Sequence, residues 1–407
     1  MRSLKSIMNG YVIKADVNLL LFLILVISPL FDLATGLLMS LGILIEGAVA
    51  TPSQFIRLIL TVFSVYLLRR YLHFYTSLLV LCFFIFIEIF SAFTYLNISG
   101  FLFSLMNLSK LFLLAMMVMV VYRKREDISS EVVLKLIKFN SYLVSVAIIF
   151  SSLTGYGSQT YIEGFGTKSF FASGNGLGIY LGCLSLLNLF LLLFYKNKNF
   201  FLVYVLSTFA LLLVGTKTCA IFFLVSIFLY FYYSKYRILF FSVLGLFVVS
   251  FWSYLYDFLI VAFDVVLFRF EKSEGLMDFI LSSRVEYFKD AVSMFNVDGL
   301  YSLRVLSGLG VFVSFQELND KVFYDTLESD VLDIFFMYGA IGFSLVFTFY
   351  CMMLSVVRRN FILLLSVILL VFHSFLAGHV LFNGMTSSLF VLILAVHSMT
   401  LKRKLHE

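Results

Sequence analysis

Apolar runs of about twenty residues follow one another along almost the whole chain, separated by short connectors. A run of that length spans the hydrocarbon core of a bilayer as an α-helix. No exposed backbone is tolerated there, so the segments must be helices or strands of a closed barrel. The runs are too long for barrel strands, which alternate over about ten residues. Composition agrees: of 407 residues, 62% are hydrophobic and only 13% charged, against about 25% charged in soluble domains. The expected fold is therefore all-α, a polytopic helical bundle.

The runs place spans at 17–36, 54–69, 74–96, 101–122, 132–152, 173–195, 199–214, 217–233, 237–256, 329–356, 360–377 and 380–400, about twelve in all. Basic residues test the count. Arg2, Lys5 and Lys14 precede the first span. Arg69-Arg70, Arg123-Lys124-Arg125, Lys196 with Lys198, Lys235 with Arg237, Arg358-Arg359 and Lys402-Arg403-Lys404 each follow an even-numbered span. Basic residues favour the cytoplasmic side, so both termini are expected inside. Residues 37–50 then cannot be a full span without breaking this alternation, and they are read as a re-entrant or interfacial segment. The Ala48-Val49-Ala50 triplet lies too far from the apolar core for a typical cleavage site, so 17–36 is read as a retained span. Three regions result: an N-terminal bundle over 1–256, a large partly helical outer loop over 257–328, and C-terminal helices with a short tail over 329–407.

The net charge of +6 belongs to these orienting clusters and gives no argument for nucleic acid. Cys82, Cys183, Cys219 and Cys351 stand singly, without a C-x-x-C pair, and are read as lone thiols in or beside spans. The sequence holds no H-E-x-x-H, Asp-rich metal motif or P-loop. No metal, ATP or other cofactor is expected.

Charges that orientation does not require are the candidates for chemistry. Lys110 lies inside a span, where a cation costs about 2.5–3.5 kcal/mol on insertion scales. It either pairs with Glu88 of the preceding span or serves a site. Arg57, near the outer end of its span, either snorkels to the interface or binds an anion. Lys217, at an outer span boundary, is an interfacial anchor or a phosphate-binding cation. Arg284 sits near the start of a helix-like stretch that puts Phe288 and Ala291 on its face; it is a surface residue or a diphosphate ligand. Arg304 precedes the glycine-containing turn SGLG. Glu328, Asp330 and Asp333 open the tenth span, where acids either complement the helix dipole or supply a general base. His379 lies at the outer end of the last hairpin, structural or catalytic, and His373 reads as a packing residue.

Five stretches together resemble the bacterial O-antigen polymerase (Wzy-type) and O-antigen ligase superfamily: SFFASGNGLGIYLG, VGTKTCAIFFLV, SSRVEYFKDAVSMF followed by SGLG, ESDVLDIFFMYGAIG, and AGHVLFN. The resemblance also covers the topology of the whole chain. It implies a glycosyltransferase of the bacterial inner membrane that joins oligosaccharide repeat units carried on undecaprenyl diphosphate, one as donor and one as acceptor, on the periplasmic face. A flippase and a chain-length regulator of the same pathway are the protein partners it implies. Where the family usually carries Ser-Arg, this chain has Lys217, which keeps the charge but loses the planar fork. Glu328 stands where ligases carry a histidine, which favours a polymerase. Arg284, Lys217, Arg304 and Arg57 are then expected at the diphosphate, Glu328, Asp330 and His379 at the acceptor hydroxyl, and Tyr287, Tyr301 and Tyr324 against the sugars. The competing expectations are a ligase or another polysaccharide polymerase of the superfamily, and a lipid-oligosaccharide flippase. A flippase would show repeat symmetry, and no internal repeat is seen.

Overall fold

The computed structural model describes residues 16–44, 51–95, 98–160, 166–171, 173–235, 301–311, 327 and 329–406, with scattered positions in 237–250 and 288–292. Among them stand helices α1 (Val17–Ser40), α2 (Pro52–Leu68), α3 (Leu72–Tyr95), α4 (Ile98–Arg123), α5 (Ser130–Thr154), α6 (Gly174–Leu193), α7 (Phe201–Val214), α8 (Lys217–Tyr233), α9 (Tyr301–Ser307), α10 (Asp330–Val357), α11 (Phe361–Leu376) and α12 (Gly384–His406). A two-stranded antiparallel ribbon, β1 (Ser158–Gln159) with β2 (Thr167–Ser169), joins α5 to α6. The chain is an all-α helical membrane protein. Among the described residues, seven helices are long and apolar enough to cross a bilayer, and α2, α7, α8 and α11 are shorter apolar helices. The expected span at 237–256 lies largely outside the described residues, as does most of the 257–328 loop.

Helices α6 and α12 form the axis, each with 89% of its apolar stretch buried, whereas α3 and α10 are peripheral at 17% and 22%. Small residues bring neighbours close to α6. A Cβ on Gly178 would lie 2.8 Å from Cys219 Sγ, and one on Gly182 would enter the Phe222 ring. Lipid offers no hydrophobic gradient between helices, so such close packing and interhelical hydrogen bonds hold the bundle. Asn140 donates to the Tyr180 hydroxyl at 2.6 Å, Asn188 to Ser141 at 3.0 Å, and Ser185 meets Thr208 at 2.8 Å.

Local sequence explains the breaks. Pro29 lacks the N–H that the helix ladder requires, and a π-helical turn at Leu23–Ile27 immediately precedes it. Gly215, at φ 74°, ends α7, and the Thr216 side chain caps α8 by accepting from Cys219 N at 3.2 Å. The VGTKT stretch therefore divides two short helices.

The segment 37–50, read as re-entrant or interfacial, is described over 37–44. Residues 37–40 extend α1 by another turn. No proline or glycine stands between 37 and 40, and Gly36 lets the helix approach the Phe170 carbonyl, where a Cβ would collide. Residues 41–44 turn back on the helix, with Ile43 N donating to Leu38 O at 3.0 Å, and 45–50 lie outside the described residues. Thr51 then caps α2, accepting from Gln54 N at 3.2 Å, with Pro52 at the first helical position.

Candidate functional site

The second half of α1, the first halves of α2 and α4, and the start of α6 converge on a cavity of about 370 Å³, closed by the α11–α12 connection. Helices that alternate in direction bring opposite ends of their sequences to one end of the bundle. Arg57, Lys110 and His379 all line the cavity, with Asp32 opposite them. Arg57 Nη2 stands 3.8 Å from Asp32 Oδ1. Arg57 Nε and Asp32 Oδ2 are buried without a hydrogen-bond partner among the described residues. Ionisable groups at membrane depth persist where they face a cavity and one another. Lys110 Nζ donates to Asn107 Oδ1 at 2.8 Å, and Asn107 also lines the space.

Two of the sequence motifs meet here. Ser173 caps α6, accepting from Gly176 N at 3.1 Å, and lines the cavity beside Asn383. A Cβ on Gly176 would be 2.5 Å from Asn383 Nδ2, so glycine is what admits the amide. Gly384 does the same for Arg57, whose Nε would be 2.7 Å from an added Cβ.

The loop bearing His379 is held from beneath by Asp330. Its Oδ2 accepts from Val380 N at 2.8 Å, Leu381 N at 3.1 Å and Ser374 Oγ at 2.9 Å. Thr386 Oγ1 donates to the His379 carbonyl at 2.6 Å. Together these bonds fix His379 at φ 61°, an unusual backbone for a residue with a side chain. Asp333 is used in a similar way, Oδ1 accepting from Leu327 N at 2.7 Å. Ser329 Oγ donates to Phe375 O at 2.8 Å, tying the start of α10 to the end of α11.

A second junction fixes the return of the large loop. Helix α10 breaks at Gly339 (φ 63°, ψ −160°). The break frees carbonyls that accept from the SGLG turn: Leu309 N donates to Phe336 O at 3.1 Å and Gly310 N to Met337 O at 2.9 Å. Gly308 and Gly310 both have positive φ, and a Cβ on Gly308 would collide with Met337 O. Beneath the turn, the Glu88 carboxylate accepts from Val311 N at 3.0 Å and from the Tyr338 hydroxyl at 2.8 Å, and Ser91 Oγ donates to Leu309 O. The pairing of Lys110 with Glu88 is thereby corrected: Glu88 grips the returning loop, and Lys110 turns to Asn107 and the cavity. The reason is geometric, because the loop brings backbone donors to α3 that sequence spacing does not reveal.

The other candidates lie as follows. Arg304 is buried on α9. Lys217 is exposed at the first position of α8 and does not line the cavity. His373 is buried, with Nδ1 at 3.4 Å from Thr218 Oγ1. Ala291 is buried in a cluster with Phe336, and the Phe288 ring meets Phe336 edge-on at 5.7 Å. Arg284, Tyr287, Tyr324 and Glu328 lie outside the described residues, as does the side chain of Tyr301. Asp32, Asn107 and Asn383 were not singled out from sequence. For Asp32 a signal existed, since it is a lone acid in an apolar run and meets the same cost argument as Lys110. No protein-family model matches the chain, and no curated protein matches it.

Proposed function

We propose that the protein is a Wzy-type O-antigen polymerase, a glycosyltransferase that joins undecaprenyl-diphosphate-linked repeat units at the periplasmic face of a bacterial inner membrane. The convergence of Arg57, Lys110 and His379 on one polar cavity at membrane depth supports this reading best. A lipid diphosphate needs cations at the bilayer edge, and cations aimed at developing negative charge stabilise its departure. The sequence motifs that resemble the superfamily supply residues to the same cavity, Ser173 and Asn383 among them.

In this reading the chain has twelve spans, with both termini cytoplasmic and the cavity at the outer end. The acceptor hydroxyl attacks the anomeric carbon of the donor. The new glycosidic C–O bond forms as the C–O bond to the diphosphate breaks, and the lipid diphosphate leaves with the electron pair. Glu328 takes the hydroxyl proton. Asp330 Oδ2 already accepts three hydrogen bonds, so Asp330 positions the His379 loop. Arg57 and Lys110, which line the cavity, bind one diphosphate, with Arg284 contributed from the outer loop; Lys217 and Arg304, which do not line it, have no part in that contact. Tyr287, Tyr301 and Tyr324 stack on sugars. The lipopolysaccharide pattern of a deletion strain tests the reading. A single repeat unit on the lipid core supports a polymerase. Polymer held on the lipid carrier, with none on the core, points to a ligase. An unchanged ladder rejects both.

A further inference from the structure

A tight turn joins α2 to α3, closed by Tyr71 N donating to Leu68 O at 2.9 Å and Phe74 N to Tyr71 O at 3.0 Å. It carries Arg69 and Arg70, and His73 follows near the start of α3. Arg123, the last residue of α4, comes to the same place, with Nη2 at 2.7 Å from His73 Nδ1. All four side chains are exposed. Among the described residues the ion pairs are Arg57–Asp32, Lys124–Asp127 and Lys135–Glu131, so none takes Arg69, Arg70 or Arg123. Other basic residues on this side tie the chain together. Lys402 Nζ donates to Glu126 O at 2.6 Å and Ile128 O at 2.7 Å, and Arg403 Nη1 donates to Phe194 O at 3.4 Å. The Arg69 guanidinium lies 4.3 Å from the centre of the Tyr66 ring. Tyr66, Tyr75 and Tyr122 are exposed around the cluster, and exposed tyrosines mark the headgroup level of a bilayer. Helix α3 is the least buried of the long helices, so this face meets lipid.

We propose that Arg69, Arg70, His73 and Arg123 form a site for the phosphate headgroup of an anionic glycerophospholipid, on the side of the membrane where the basic clusters gather. A guanidinium meets two oxygens of a phosphodiester through its planar fork. Neutral His73 accepts from Nη2, which fixes the Arg123 side chain and leaves its other donors for the phosphate. Orientation needs positive charge on one side of the membrane and does not need Arg123 drawn onto His73 beside two further arginines. Clustered cations repel one another, and a phosphate among them removes that cost. Basic recesses between membrane helices at this level suit anionic headgroups.

The test uses the full-length protein in a neutral detergent. Native mass spectrometry should show the wild-type protein retaining phosphatidylglycerol in preference to phosphatidylcholine. Added phosphatidylglycerol should also raise its melting temperature, as a ligand of the folded state does. In Arg70→Gln/Arg123→Gln the affinity for phosphatidylglycerol should fall about 25-fold, about fivefold for each cation lost. Both side chains are exposed, so the melting temperature in detergent alone should stay unchanged. Arg70→Gln by itself leaves the Arg123–His73 contact in place and should lose about fivefold. Arg358→Gln/Arg359→Gln removes the same charge just beyond α10 and should keep the wild-type affinity. Equal losses in the two double variants would mean attraction to net charge alone. Displacement of the lipid by inorganic phosphate, but not by chloride at the same ionic strength, would mean a site for free anions. Either result overturns the proposal, and so does a wild-type protein with no preference for phosphatidylglycerol.

Discussion

At the scale of single residues, the site separates groups that hold structure from groups open to a ligand. Asp32 and Arg57 face each other at 3.8 Å, each with a buried atom that lacks a hydrogen-bond partner among the described residues. The two side chains are partly buried, 17% and 13% exposed, so removing one member strands the other charge at less than the about 3–5 kcal/mol of a fully buried pair. Arg57→Met should therefore lower thermal stability in detergent, and the double variant Asp32→Asn/Arg57→Met should recover most of it. Polymer formation should fail in both, since stability returns without the cation. Asp330 and Glu328 provide the complementary pair. Asp330→Ala strands the amides of Val380 and Leu381, at about 1–3 kcal/mol per buried donor, and should destabilise the protein. Glu328→Gln should leave the melting temperature in place and slow polymerisation of purified lipid-linked units by about 10²–10⁴-fold. Near wild-type rates in Glu328→Gln would remove the general base from the mechanism.

At the scale of elements, the break in α10 is what seats α9 and the turn that follows it. Gly339 adopts a backbone that β-carbon residues rarely enter, and an added Cβ would lie 2.6 Å from Ser307 N. Gly339→Ala should push α9 off its seat. Hydrogen exchange across 301–311 should then accelerate, while the α6–α8 core keeps its protection. Equal acceleration everywhere would mean global unfolding in place of local release. Such an element was partly legible beforehand. The glycines of SGLG and the acids opening span ten stand out in the sequence, and so does the glycine where ESDVLDIFFMYGAIG breaks. Their mutual contact was not, because a positive-φ turn and a helix break are complementary only once folded. The same holds for Glu88, whose partners Val311 and Tyr338 lie far along the chain.

At the scale of the whole molecule, the arrangement of charges sets orientation and the packing sets the site. A cysteine-free variant carrying Ser273→Cys should react with an impermeant thiol reagent in cells with a permeabilised outer membrane, and one carrying Asn197→Cys should not. The reverse pattern would invert the topology and place the cavity on the cytoplasmic side. Hydropathy by itself determined that the chain is a helical membrane protein and where most helices begin and end, since each helix satisfies its own backbone within lipid and needs no neighbour to do so. Local chemistry also located the break at VGTKT, between the spans read at 199–214 and 217–233. Only the tertiary structure decided which polar side chains share a cavity. Arg57, Lys110 and His379 come from three separate segments, and each alone also has a reading without a site: a snorkelling cation, a partner of Glu88 and a structural histidine. Their meeting depends on helix order and on glycine-sized gaps at positions 176 and 384, which are properties of pairs of helices and are written in no single segment.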